Sequence, residues 1–261
     1  MKTFVLGDVH GAHKALVQVL ERSGFDYEKD MLITIGDIVD GWGETYETIE
    51  ELLKIKNRID IMGNHDQWMY EFITTAAHPD AWSQGGLATA KSYANALGME
   101  LIIDRQTHRG FRREYYSYRL NLIPEDITIS HQNFFKRQVK WYKDDNNNLF
   151  VHGGINRHIP LNDNVPYFAM WDRALFTQAM SAAGIGTKLE FHDEYKRIFI
   201  GHTTTESWGH IEPLLADIIW NIDTGAGGGG KLTLMNVDTE EYWQSDLVPS
   251  LYPNDENNYR E

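Results

Sequence analysis

Five short stretches carry the residues that could do chemistry. They are GDVHG at 7–11, GDIVDG at 36–41, GNHD at 63–66, VHGG at 151–154 and IGHT at 200–203. Each ends a short apolar run, and each delivers a carboxylate, an amide or an imidazole beside a glycine. Asp8, His10, Asp37, Asn64, His152 and His202 together offer carboxylate, amide and imidazole donors and no sulfur. Such donors suit Mn, Fe, Zn or Mg rather than copper(I) or an iron–sulfur cluster. Six ligands exceed what one catalytic ion with open positions needs. Two ions about 3.5–4 Å apart, bridged by one carboxylate, would use them. Any one of these residues alone could be a capping aspartate or a hydrogen-bonded core histidine. Recurrence at five strand ends, always against glycine, is what points to a metal centre.

The elements that must position these residues are legible as alternation. Thr3–Leu6, Met31–Ile35 and Arg58–Met62 read as apolar strands. Between them, Ala15, Leu16, Val19 and Leu20 share one helical face with Gly24 as its C-cap, and Tyr46, Ile49, Leu52 and Leu53 share another. A βαβαβ order implies a parallel sheet covered by helices, with its ligands in the crevice beyond the strand C-termini. Helices are expected at QWMYEFITTA, GGLATAKSYANALG and HQNFFKRQVKWYK, and further strands at NLFV, RIFI, DIIWNID and KLTLMNV. The tail SLYPNDENNYRE is polar and is expected to fray.

The 261 residues suffice for one large domain or two small ones, and the chain has no cysteine. Disulfides, thiolate metal sites and a cysteine nucleophile are thereby excluded. No stretch is long and apolar enough for a membrane span, and the first residues lack a signal-peptide pattern, so a cytoplasmic protein is expected. The net charge of −14 repels nucleic-acid backbones.

In order and spacing, the five motifs strongly resemble those of the calcineurin-like metallophosphoesterases, and more narrowly the bacterial and phage Ser/Thr-type protein phosphatases. NNNLFVHGGI and IDTGAGGGGKLTLMNV look like that branch, which also includes diadenosine-tetraphosphate hydrolases. The resemblance implies an α/β fold, a four-layer α/β/β/α sandwich of two mixed sheets. It would be one domain over 1–261 with a helical cap inserted at about 67–145. It implies two divalent ions, Mn first, with Fe, Zn, Mg or Ni as alternatives. Asp8, His10 and Asp37 would hold one ion, and Asn64, His152 and His202 the other, with Asp37 bridging. A hydroxide between the ions would attack phosphorus in line. His65 would be the general acid, held by Asp40. The implied substrate is a phosphorylated protein or a small phosphoester, with a nucleotide diester or dinucleoside polyphosphate as the alternative.

One departure bears on substrate. The family's arginine after the second aspartate of GDxxDRG is Gly41 here, and Arg173 in MWDRALF resembles a second phosphate-gripping arginine. Losing one guanidinium fork weakens recognition of a dianionic monoester. GAGGGGK at 225–231 mimics a phosphate loop, but Leu232 stands where a magnesium-binding hydroxyl is needed and a strand follows, so a glycine loop at the site mouth is expected. The cap stretch 105–119 mixes Arg105, Arg109, Arg112, Arg113 and Arg119 with Phe111, Tyr115, Tyr116 and Tyr118. A solvated face with inward tyrosines is the simpler reading, and a nucleotide or phosphopeptide grip the sharper one.

Overall fold

A computed structural model describes residues 1–77, 83–109 and 114–253. In chain order its first half contains β1 (Thr3–Leu6), α1 (His13–Ser23), β2 (Met31–Thr34), α2 (Thr45–Leu53), β3 (Asn57–Asp60), α3 (Asn64–Thr75), α4 (Gly86–Leu97), β4 (Ile103–Arg109), β5 (Glu114–Leu120) and α5 (Ile129–Arg137). The second half contains β6 (Trp141–Lys143), β7 (Asn148–Val151), α6 (Pro166–Trp171), α7 (Ala174–Gly184), β8 (Arg197–Ile200), β9 (Leu214–Ala216), β10 (Ile219–Asn221), β11 (Thr233–Asn236), β12 (Tyr242–Gln244) and α8 (Val248–Leu251).

The strands form two five-stranded mixed sheets, ordered β12-β11-β1-β2-β3 and β6-β7-β8-β10-β9. In the first, β1, β2 and β3 run parallel, as the βαβαβ pattern requires, and β11 and β12 close the edge antiparallel. In the second, β7, β8 and β10 are parallel between antiparallel edges.

Alternation along each strand builds the layers, because successive side chains leave a strand on opposite faces. Phe4 and Leu6 of β1, Leu32 of β2 and Leu234 of β11 meet Leu16, Val19 and Leu20 of α1 in an outer core. Leu149, Val151, Ile198 and Ile200 meet Leu175, Phe176 and Ala179 of α7 in the opposite outer core. The residues between them, Val5, Ile33, Phe150, Phe199 and Met235, face one another across the two sheets. The result is an α/β/β/α sandwich. Phe150 and Phe199 stack at its centre with ring centroids 5.1 Å apart and planes only 6° from parallel.

Two local expectations are corrected, and a third falls largely outside the described residues. The helix expected over HQNFFKRQVKWYK stops at Arg137. Gln138 turns extended and its side chain donates to Asp66 Oδ2 and the Ile61 carbonyl, so Val139 bridges Ile61 on the first sheet and Trp141 pairs with Val151 on the second. These two pairings stitch the sheets together, and they outcompete a helix whose apolar face is exhausted after Phe135. The described part of 105–119 lies on β4 and β5, which pair antiparallel in a region expected to be helical. Arg105 pairs with Tyr118 and Asp104 with Arg119, while Phe111, Arg112 and Arg113 lie outside the described residues. Of the tail, residues 254–261 lie outside the described residues, and Tyr252 before them is docked, being 5% exposed. It stacks on Trp42 at 4.9 Å, and its hydroxyl donates to Glu44 while accepting from the Lys14 amide.

Phe199→Ala should empty the centre of the inter-sheet core. Substitutions of this kind cost about 3–5 kcal/mol. Denaturant unfolding should show the midpoint falling with an unchanged slope.

Candidate metal centre and active site

All six expected ligands reach one place, and the backbone is bent to bring them there. Among the described residues, eight that are not glycine have positive φ, and four of these are His10 (52°), Asp37 (49°), Asp40 (66°) and His202 (68°). Left-handed conformations are uncommon for residues with a Cβ and cluster where geometry is over-determined by surroundings. Here each follows a strand end and re-aims its side chain toward the common crevice. The flanking glycines let these turns nest against one another. A Cβ on Gly63 would overlap the Asp37 amide nitrogen and Oδ1, and one on Gly201 would overlap Asp8 Oδ1.

Asp37 is the centre. Its Oδ2 lies 3.7 Å from His10 Nε2 and 3.4 Å from His152 Nε2, and its Oδ1 accepts the His65 amide at 3.0 Å. The second imidazole nitrogens are anchored to backbone carbonyls. His10 Nδ1 donates to Asp40 O at 2.7 Å and sits 3.1 Å from Val39 O, and His152 Nδ1 donates to Ile35 O at 2.8 Å. Such anchoring fixes the ring so that Nε2 faces inward, the arrangement usual for metal-ligating histidine. Asn64 Oδ1 lies 3.1 Å from His152 Nε2. Asp8 Oδ2 accepts the His202 amide at 3.0 Å. Two buried polar atoms of the site, Asp8 Oδ1 and His202 Nε2, have no hydrogen-bond partner. Orphaned buried donors and acceptors are costly, and their presence together in a ligand cluster fits an ion that would satisfy both. Two groups of side chains lie close enough to hold metal: His10, Asp37 and His65, and Asp37, His152 and His202. Asp37 belongs to both.

The electrostatics lead the same way. Burial, Asp223 and Asp37 push the Asp8 carboxyl well above its usual range, against the pull of His152. Burial alone would raise Asp37 too, but the imidazoles of His152, His65 and His10 outweigh it and hold that carboxyl well below the ordinary range. Burial opposes charge on His152, yet Asp37, Asp8 and Asp66 push it up to about 10. His202, buried and beside that cation, is pulled down to about 3. The buried carboxylates thus set His152 the task of carrying positive charge. A divalent cation would take over that task.

His65 is close enough to join the first of these groups, but its ring is also engaged on its other side. Its Nδ1 lies 3.0 Å from Asp40 Oδ2, and its ring packs edge-on against Trp68 at 4.8 Å. Trp68 and His202 each meet Trp171, so an aromatic wall runs along one side. Arg173 Nη1 donates to the His202 carbonyl at 2.9 Å and to Thr203 Oγ1 at 2.6 Å. His65, Trp171, Arg173 and His202 line a cavity of about 200 Å³ with His10, Asp37, Asn64, Gln84, Thr204, Glu206, Asp223 and glycines 225 and 227–229. The glycine loop expected at the site thus lines the cavity. From the described part of 67–145, only Gln84 lines it. A shallower depression of about 460 Å³ around Trp141, Tyr142 and Pro160 contains none of the ligands.

Sequence reasoning missed three carboxylate and hydroxyl residues. Asp223 is 4% exposed, lines the cavity and accepts the Gly225 amide. It ends a strand against Thr-Gly, so the rule that found the others would have found it. Asp66 ties the strand-end loops together by accepting from Ile38, Gly63 and Gln138; burial and Asp37 push it up to about 6. Thr89 contacts Asp40 from α4, with no sequence signal at all.

A model of the family described as calcineurin-like phosphoesterase matches residues 1–213. The chain belongs to the calcineurin-like phosphoesterase family. That family works through a dinuclear divalent metal centre. A symmetrical bis(5'-nucleosyl)-tetraphosphatase of Buchnera aphidicola is 36% identical over 67 residues, which are 25% of this chain and 24% of that protein. The chain therefore spans about a quarter of that curated relative. Among solved structures, a candidate diadenosine tetraphosphatase superposes with TM-score 0.57 at 12% identity, covering 93% of this chain and 92% of that one. A metallophosphoesterase from Sphaerobacter thermophilus gives 0.53 at 15% identity, covering 98% and 96%. At such identities the likeness concerns the fold. No helix among the described residues is long and apolar enough to cross a membrane.

The structure also changes the expectation for Gly41. Its φ is +144°, and a Cβ there would stand 3.0 Å from His10 O and 3.1 Å from His10 Cβ. Gly41→Arg should therefore strain the loop that carries Asp40 and lower kcat/KM for monoester and diester alike. Matched kinetics on both substrates check this; a clean shift toward the monoester with undiminished rate would contradict it.

Proposed function

We propose that the protein is a two-metal phosphoester hydrolase acting on phosphomonoesters, with phosphorylated protein as the leading substrate class. The observation that carries the reading is the position of Asp37 Oδ2 between two inward-facing imidazoles, beside the orphaned Asp8 Oδ1 and His202 Nε2. Asp8, His10 and Asp37 would hold one ion. Asn64, His152 and His202 would hold the other, with Asp37 shared and Mn favoured by the oxygen and imidazole donors. When bound, the ions would supply a nucleophile at neutral pH and neutralise charge on the phosphoryl oxygens.

The remaining work belongs to the chain. His65 presents Nε2 to the cavity because Nδ1 faces Asp40. It is thus set to give a proton to the departing oxygen. Arg173 is steadied through Nη1 by His202 and Thr203, which leaves its other N–H groups for a phosphoryl oxygen. Trp68 and Trp171 keep bulk water from the acid's flank.

Charge argues for a single phosphoryl group. Among the described residues lining the cavity, Arg173 is the one Lys or Arg, and Glu206 and Asp223 stand on the same wall. A tetraphosphate chain would bring several more negative charges than this lining neutralises. The second reading, hydrolysis of a dinucleoside tetraphosphate, is favoured by the name that the curated relative carries. Side-by-side assays with manganese on a phosphopeptide, para-nitrophenyl phosphate, its bis-ester and diadenosine tetraphosphate decide between them. The first two should show the higher kcat/KM; a clear lead for the dinucleotide would overturn the preferred reading.

His65→Asn should slow alkyl phosphates by about 10²–10⁴-fold, the usual range of general-acid help, and nitrophenyl esters far less. A uniform loss would mean that His65 positions substrate instead.

A further inference from the structure

The side chain that holds the proposed acid is itself held from outside the metal-binding sheets. Asp40 uses Oδ2 toward His65 Nδ1 at 3.0 Å. Its other oxygen, Oδ1, accepts the hydroxyl of Thr89 at 2.8 Å, and the same hydroxyl oxygen accepts the Asp40 amide at 3.0 Å. Thr89 is 1% exposed and lies in the first turns of α4. Thr45 Oγ1, 3.3 Å away, stands in position to donate to the remaining lone pair of that oxygen. Thr89 thus brackets Asp40 at both backbone and side chain.

Position 40 needs this bracketing. Its φ of +66° is a conformation that an aspartate does not hold cheaply, and the next residue is a glycine with its own positive φ. Left alone, this loop has few reasons to keep one carboxylate orientation. α4 supplies two. Besides Thr89, the carbonyl of Gly85 at its N-cap accepts the Gly41 amide at 3.2 Å. α4 packs chiefly on α2, the helix that leaves this same loop.

We infer that Thr89 is a positioning residue for catalysis: through Asp40 it fixes the ring of His65 in the orientation from which the proton is delivered. The inference rests on the reading of His65 as general acid. It assigns to the segment inserted between β3 and β6 a part in the chemistry, exercised through a buried hydroxyl. Hydrogen-bond partners that orient metal-ligating side chains are worth about 10–100-fold, and an effect of the same order is expected where the oriented side chain is the acid.

The test compares Thr89→Val, Thr89→Ala and Thr89→Ser with the unaltered full chain loaded with manganese, on an alkyl phosphate and on para-nitrophenyl phosphate. His65→Asn is measured beside them. Valine keeps the shape and removes the hydroxyl, alanine guards against a packing fault, and serine restores the hydroxyl without the methyl. The expected result is a fall in kcat of about 10–100-fold on the alkyl ester for the valine and alanine variants, with KM within about twofold. The loss on the nitrophenyl ester should be much smaller, and the serine variant should recover most of the rate. Equal losses on both esters, a loss carried by KM, or a serine variant no better than valine would overturn the inference. If His65→Asn discriminates between the esters and the Thr89 variants do not, the role of Thr89 is wrong. If His65→Asn itself does not discriminate, the acid assignment is wrong and the inference falls with it.

Discussion

The structure depends on one buried carboxylate, Asp37, held where two imidazoles from different sheets approach it. His10 belongs to the turn after β1 and His152 to the turn after β7, so this contact closes the crevice between the two sheets. Burying Asp37, Asp8 and Asp223 together is unfavourable unless positive charge is brought in with them. Asp37, Asp8 and Asp66 accordingly favour positive charge on His152. Two divalent ions would answer the same demand and would also satisfy Asp8 Oδ1 and His202 Nε2.

Around that demand the fold is organised in an ordered way. Strand alternation sends apolar side chains to three cores, and the strand ends are left to carry polar groups. Those ends are bent into left-handed turns that a lone peptide would not favour. Packing and hydrogen bonds over-determine them: Asp66 joins the loops at 38 and 63, and the chain at 138–141 ties both sheets together. The strain sits where side chains must converge and the regular elements bear it.

Much of this was legible in the sequence because the candidate ligands follow a simple rule. Apolar runs ended by glycine and a donor identified Asp8, His10, Asp37, Asn64, His152 and His202, and alternation with amphipathic helices gave the layered fold. The same rule applied to NIDTG would have found Asp223. Residues that act through tertiary contact left no such trace. Thr89 is an ordinary threonine in a helix, and its meaning comes only from the loop that packs on it. The strands at 141–143 and 242–244 are short, and pairing partners far along the chain decide them. Gly41 shows the converse limit. A missing arginine read as lost phosphate grip, whereas the backbone reveals a turn that any side chain at that position would strain.

The central claim is that two ions share Asp37. Anomalous diffraction from crystals grown with manganese tests it most directly. The account predicts two peaks about 3.5–4 Å apart, the separation usual for such pairs, with Asp37 Oδ2 between them. One would lie against Asp8 and His10, and the other against Asn64, His152 and His202. A single peak, or a second ion bound without Asp37, would contradict it.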